Sequence, residues 1–172
     1  SLGTMVANLS AHKAGWDNKW ELFSDWAVKG QTYKEQLLFL VDEDTNAFNK
    51  IIDGFRMPKD TNEEKQARAL AIENATIYAT EIPFKVMETA FQSMEVMQAM
   101  LKDGLQNSLS DAGVGVLCAR TAVIGAYFNV RINAKDIKDR TFAASILAKA
   151  AIIYKQTIAI ENDTIAFIDS KI

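Results

Sequence analysis

The sequence predicts an all-α fold, a bundle of about five to six long helices, on three observations. The 172 residues include only 8 Gly and 2 Pro, roughly half the usual combined share, whereas a sheet-rich fold with many tight turns needs more of both. Apolar residues recur at three- and four-residue steps along most of the chain. No period-two alternation is long enough for a strand. The composition, 49% hydrophobic and 24% charged, excludes a disordered chain or a collagen-like repeat, and the length suits a single domain over residues 1–172.

The elements follow in order. Leu2, Met5, Val6 and Leu9 mark a helix over Leu2–Lys13. Trp16, Trp20, Phe23 and Trp26 or Ala27 form an aromatic stripe at helical spacing, read as packing. A helix from about Thr32 to Phe55 carries Leu37, Val41, Phe48, Ile51 and Phe55 on one face. It ends at Met57-Pro58, because a residue before proline avoids helical dihedrals. Thr61-Asn62-Glu63-Glu64 is a capping box that starts the next helix. That helix is expected to run to about Asp103, kinked at Pro83, with Met87, Met94, Met97 and Met100 as core filling. Asn107-Ser108-Leu109-Ser110 offers an N-cap for a helix lasting to about Asn133, and the last helix spans roughly Thr141–Ile168.

Several function classes drop out. Nineteen basic against 22 acidic side chains leave a net charge of −3, and no basic stripe suggests nucleic acid. The one histidine, His12, leaves no two-histidine metal site, and no metal is expected. The single Cys118 excludes an internal disulfide, and its apolar neighbours suggest a small buried residue. No uninterrupted apolar run reaches the roughly 18 residues of a membrane span. No secretory signal is visible, so a cytoplasmic location is expected.

Two places break the helical pattern. The apolar stripe of the second long helix steps through positions 37, 41, 44, 48, 51 and 55, and position 44 is Asp. A carboxylate on a buried stripe is costly unless paired or protonated. Burial also raises a carboxyl group's proton affinity, which is what general acid–base work needs. The bland alternative is a salt bridge that fixes helix register. In the helix after Ser110, the positions Asp111, Gly115, Ala119, Ala122, Ala126, Asn129 and Asn133 share a face almost without side-chain bulk. Such a face suits close helix packing or a ligand groove, and a groove at a subunit interface would combine both.

Both breaks lie inside longer motifs. Leu40-Val41-Asp42-Glu43-Asp44 is followed by Ala47-Phe48, and Arg56-Met57-Pro58-Lys59-Asp60-Thr61 by Glu63-Glu64-Lys65 and Arg68. Glu81-Ile82-Pro83, Ser110-Asp111-Ala112-Gly113-Val114 and Gly125-Ala126-Tyr127-Phe128-Asn129-Val130 with Ile132-Asn133 complete the set. In this order and spacing the motifs resemble the formimidoyltetrahydrofolate cyclodeaminase/methenyltetrahydrofolate cyclohydrolase family. The family's Pro-Gly-Gly-Gly-type segment, expected just before the stretch that starts at Ser1, is not in this sequence.

The resemblance implies an all-helical dimer with a folate site near its interface, and a formimidoyltransferase domain or protein as a partner. It implies a tetrahydrofolate derivative as substrate and Asp44 as the catalytic residue. Asp42, Asp111, Asn129 and Asn133 become candidates for binding the folate, and Lys59 for meeting its glutamate tail. The reaction expected is conversion of 5-formimidoyltetrahydrofolate to 5,10-methenyltetrahydrofolate and ammonia. Hydrolysis of methenyltetrahydrofolate at the same carbon is the alternative, and a non-catalytic helical dimer is the reading from another class.

Overall fold

The computed structural model describes residues 1–172 and holds five helices and no strand. They are α1 (Leu2–Ala11), α2 (Trp20–Arg56), α3 (Asn62–Asp103), α4 (Leu109–Asn133) and α5 (Arg140–Asp169), with 3₁₀ turns at Asp17–Lys19 and Gln106–Ser108. From Trp20 on, the aromatic stripe and the helix expected after it are one element, unbroken through Gly30, while Trp16 lies before the 3₁₀ turn. Glycine weakens a helix interior, but here it admits a neighbour: a Cβ on Gly30 would meet the Thr4 hydroxyl of α1 at 2.5 Å.

The capping box forms as expected. The Thr61 hydroxyl accepts from the Glu64 amide at 3.1 Å, and the Glu64 carboxylate accepts from the Thr61 amide at 3.1 Å. At the start of α4 no side chain caps the helix; the 3₁₀ turn leads into it instead. Asp139 caps α5 by accepting from the amides of Thr141 and Phe142.

α3 is the spine. Gly54 against Ile72, Glu43 against Tyr78 and Gly30 against Val96 fix α2 antiparallel to it. Met97 against Gly115 and Ala79 against Asn133 do the same for α4. Arg120–Glu161 and Tyr127–Tyr154 then set α5 antiparallel on α4. The main core gathers Val6, Phe23, Met94, Val96, Met100 and Val116 from four helices, and all four methionines expected there are buried. Trp16 stacks on Phe23 at 5.6 Å, so it packs as expected, whereas Trp20 is exposed.

Three sequence expectations are corrected. Cys118 is exposed, because it lines an open apolar hollow between α4 and the start of α1 rather than the core, and only its neighbour Ala119 is buried. The stripe of Val41, Phe48 and Phe55 is apolar but 64%, 62% and 55% exposed. The face that α2 turns to α3 is instead Leu40, Ala47 and Gly54, seven residues apart. Finally, α4 with its preceding turn and α5 are each long and apolar enough to cross a membrane by length and composition. Small and β-branched residues spread around both helices produce that hydropathy, and length and composition alone do not make either one a membrane span.

One half-exposed polar cluster ties α2 to α3. The Tyr33 hydroxyl donates to the Glu95 carboxylate, which also pairs with Lys29 at 2.8 Å. Burial and the Glu95 carboxylate hold the Tyr33 hydroxyl up at about 12. Burial alone would raise Glu95, but the hydrogen bonds from Lys29 and Tyr33 outweigh it and lower its proton affinity. A phenol whose folded value is raised contributes stability that is full below its unfolded value near 10 and is lost as pH rises through about 12. Tyr33→Phe is therefore expected to flatten the loss of thermal stability between pH 10 and 12. An alkaline limb identical to wild type in a pH series of melting curves contradicts it.

Candidate active site

α2 and α4 flank one side of α3 and leave a trough between them, with the start of α1 closing one end. Next to α1 the trough widens into an apolar basin of about 530 Å³. Leu37 supplies one wall, Ala90 and Met97 the floor, and Gly115, Ala119 and Ala122 the other wall. The bare face of α4 is what opens this space. Gly115 lies so close to α3 that a Cβ there would sit 2.7 Å from Met97 Cγ.

At the far end lies a second, polar basin of about 360 Å³, between Ile51 and Phe55 of α2 and Asn133 of α4. Arg68, Glu73 and Thr76 of α3 line it, with Lys138 beyond. Arg68 donates to the Phe55 carbonyl at 3.3 Å and lies 5.6 Å from the Phe55 ring, while its buried Nε–H has no partner. Glu73 is already engaged, accepting from the amides of Lys138 and Asp139.

The stripe of α2 runs between the basins, from Leu37 at one to Ile51 and Phe55 at the other. Asp44 and Phe48 occupy the stretch between. Asp44 is exposed and makes no side-chain hydrogen bond or ion pair, so the salt-bridge alternative is not realised. The registers that fix α2 and α4 on α3 put Asp44 level with Asn129 on the opposite wall.

The other candidates do not gather there. Residues two apart on an α-helix point about 200° apart, so Asp42 faces away from the trough, on the exposed side of α2. Asp111 opens α4, roughly 27 Å along the bundle from the level of Asp44 at 1.5 Å per residue. Lys59 lies in the turn beyond Arg56, and Arg68 and Lys138 are the cations that line the trough. Asn133 donates its Nδ2–H to the Ala79 carbonyl at 2.7 Å. Outside the trough, Glu43 accepts from the Tyr78 hydroxyl and from Asn46. These bonds, Tyr78 first, hold the Glu43 carboxyl below its ordinary range and push the Tyr78 hydroxyl up. Glu43 lay inside a motif, but only the register on α3 reveals its partner. No group of three or more His, Cys, Asp or Glu side chains is placed to hold a metal ion.

Comparison with known proteins fits this architecture to a family. The family model described as Formiminotransferase-cyclodeaminase matches residues 1–152. The chain belongs to that family. Methenyltetrahydrofolate cyclohydrolase of Methylorubrum extorquens is 28% identical over all 172 residues of this chain, which cover 83% of that protein. Formimidoyltransferase-cyclodeaminase of Mus musculus is 39% identical over 107 residues, 62% of this chain but only 20% of that longer protein. The crystal structure of formiminotetrahydrofolate cyclodeaminase from Thermotoga maritima shares the fold. It superposes with a TM-score of 0.85 over 98% of this chain and 80% of that one, at 20% identity. This member of the formiminotransferase-cyclodeaminase family is thus an all-helical enzyme.

Proposed function

We propose that the trough binds a one-carbon tetrahydrofolate and that the protein closes 5-formimidoyltetrahydrofolate to 5,10-methenyltetrahydrofolate with loss of ammonia. The observation that carries the reading is the position of Asp44, a carboxylate free of any ion pair on the wall between an apolar and a cationic basin. The apolar basin suits a flat heterocycle, and Arg68, with its unpartnered Nε–H, suits the carboxylates of the glutamate tail in the role expected of Lys59. N10 of the folate attacks the amidine carbon. Asp44 takes the N10 proton as that bond forms and returns it to the amine as the second carbon–nitrogen bond breaks. The folate supplies its own nucleophile, so the protein's work is to hold the ring-closing pose and to move the proton.

Hydrolysis of methenyltetrahydrofolate is the second reading. The relative that matches the whole chain, and most of whose own length is matched, is named for it. Supplying each substrate in turn and following the methenyl absorbance separates the two, since it appears in the first reaction and disappears in the second. Absence of both changes, with no folate bound in a calorimetric titration, overturns the reading in favour of a non-catalytic helical protein.

The reading includes a homodimer. Val41, Phe48 and Phe55 along the α2 rim and Val114, Phe128 and Ile132 on the outer flank of α4 leave an apolar face at the mouth of the trough. A second copy covering that face would bury Asp44 and supply the desolvation that one chain lacks. Phe48→Glu is expected to convert the dimer to a monomer in sedimentation velocity while the helical circular dichroism stays unchanged. An unaltered sedimentation coefficient contradicts this placement of the interface.

A further inference from the structure

Pro83 sits inside α3 and is buried. In an uninterrupted helix the amide of residue 83 would donate to the carbonyl of Ala79, but proline has no N–H. Ala79 is itself only 7% exposed, so water is poorly placed to replace the missing donor, and an unpaired buried carbonyl is costly. Asn133, in the last position of α4, donates its Nδ2–H to this same oxygen at 2.7 Å. One turn before, the Thr80 hydroxyl donates to the Thr76 carbonyl and the Thr76 hydroxyl to that of Ile72, both at 2.8 Å. Such back-bonds are associated with bent helices.

We propose that Asn133 is the side-chain donor that makes Pro83 tolerable in α3 and ties the end of α4 to the trough floor. Pro83 withholds one backbone hydrogen bond, and Asn133 restores it from the opposite wall, one turn beyond the level of Asp44. The end of α4 is thereby fixed on α3 where it lines the polar basin. Asn133 is thus committed to the protein's own backbone, and its amide is not free to bind a folate through that N–H. The inference rests on hydrogen bonding alone and stands or falls separately from the folate reading.

A double-mutant cycle tests it. Asn133→Ala is expected to lower the melting temperature by about 3–8 °C, from one buried carbonyl left unpaired in a chain of this size. In the Pro83→Ala background the amide of residue 83 can serve Ala79, so the same substitution is expected to cost less than about 2 °C. If N133A fails to fold, folding of the N133A/P83A double variant is the same rescue. An equal loss in both backgrounds, an unchanged melting temperature for N133A, or failure of P83A or of the double variant to fold overturns the proposal.

Discussion

Asp44→Asn is expected to cut turnover by about 10²–10⁴-fold, the range that a positioned proton-transfer group contributes. The fold should survive intact. The Asp44 side chain is exposed and has no partner, so its replacement by an amide of the same shape breaks no contact, and the melting temperature should stay within about 2 °C. The substrate's KM should change little, because the residue acts on the proton rather than on the body of the folate. Steady-state kinetics on the substrate that the enzyme uses, followed at the methenyl absorbance, give both constants. Wild-type turnover in D44N removes Asp44 from the chemistry. A large rise in KM at unchanged kcat makes it a binding residue.

What the sequence made legible follows from how local each feature is. The capping box at Thr61 and Glu64 depends on residues three apart and formed as read. The spacing of Met87, Met94, Met97 and Met100 along one face of α3 was enough to place them in the core. Periodicity also located the α2 stripe, but it could not tell what would cover the stripe. Leu40, Ala47 and Gly54 reach α3 because small residues let the helices approach, while the larger Val41 and Phe48 remain outside this chain. The α4 pattern misled for a related reason. Apolar residues surround that helix, so Cys118 among them reads as buried although it lines the open basin and is exposed. Contacts between distant parts of the chain were beyond a linear reading. Asn133 with Ala79 and Glu43 with Tyr78 depend on how α2, α3 and α4 register against one another. The proposed site shifts accordingly: Asp44 lies level with Asn129, Asp42 points about 200° away from Asp44, and the proposal gives Arg68 the role expected of Lys59.

The apolar basin makes the complementary prediction, in which binding fails and chemistry does not. Ala122 lines the basin from α4 and is exposed, so a larger side chain there grows into open space rather than into the core. Ala122→Phe would place a ring in a basin of about 530 Å³, occupying the volume assigned to the flat heterocycle. Loss of most of that burial is worth several kcal/mol at about 25 cal/mol per Å² of apolar surface. The expected result is therefore a rise in KM, or in the Kd for a folate, of at least about 100-fold. The melting temperature should move by less than about 2 °C, and kcat should fall much less than in D44N. A substitution at a neighbouring position gives the control. Gly115→Ala also faces the basin, but its Cβ meets Met97 at 2.7 Å, so it tests packing rather than occupancy and should cost stability. If A122F binds a folate as tightly as wild type while folded, the heterocycle lies elsewhere, and the trough next to α1 is not the site.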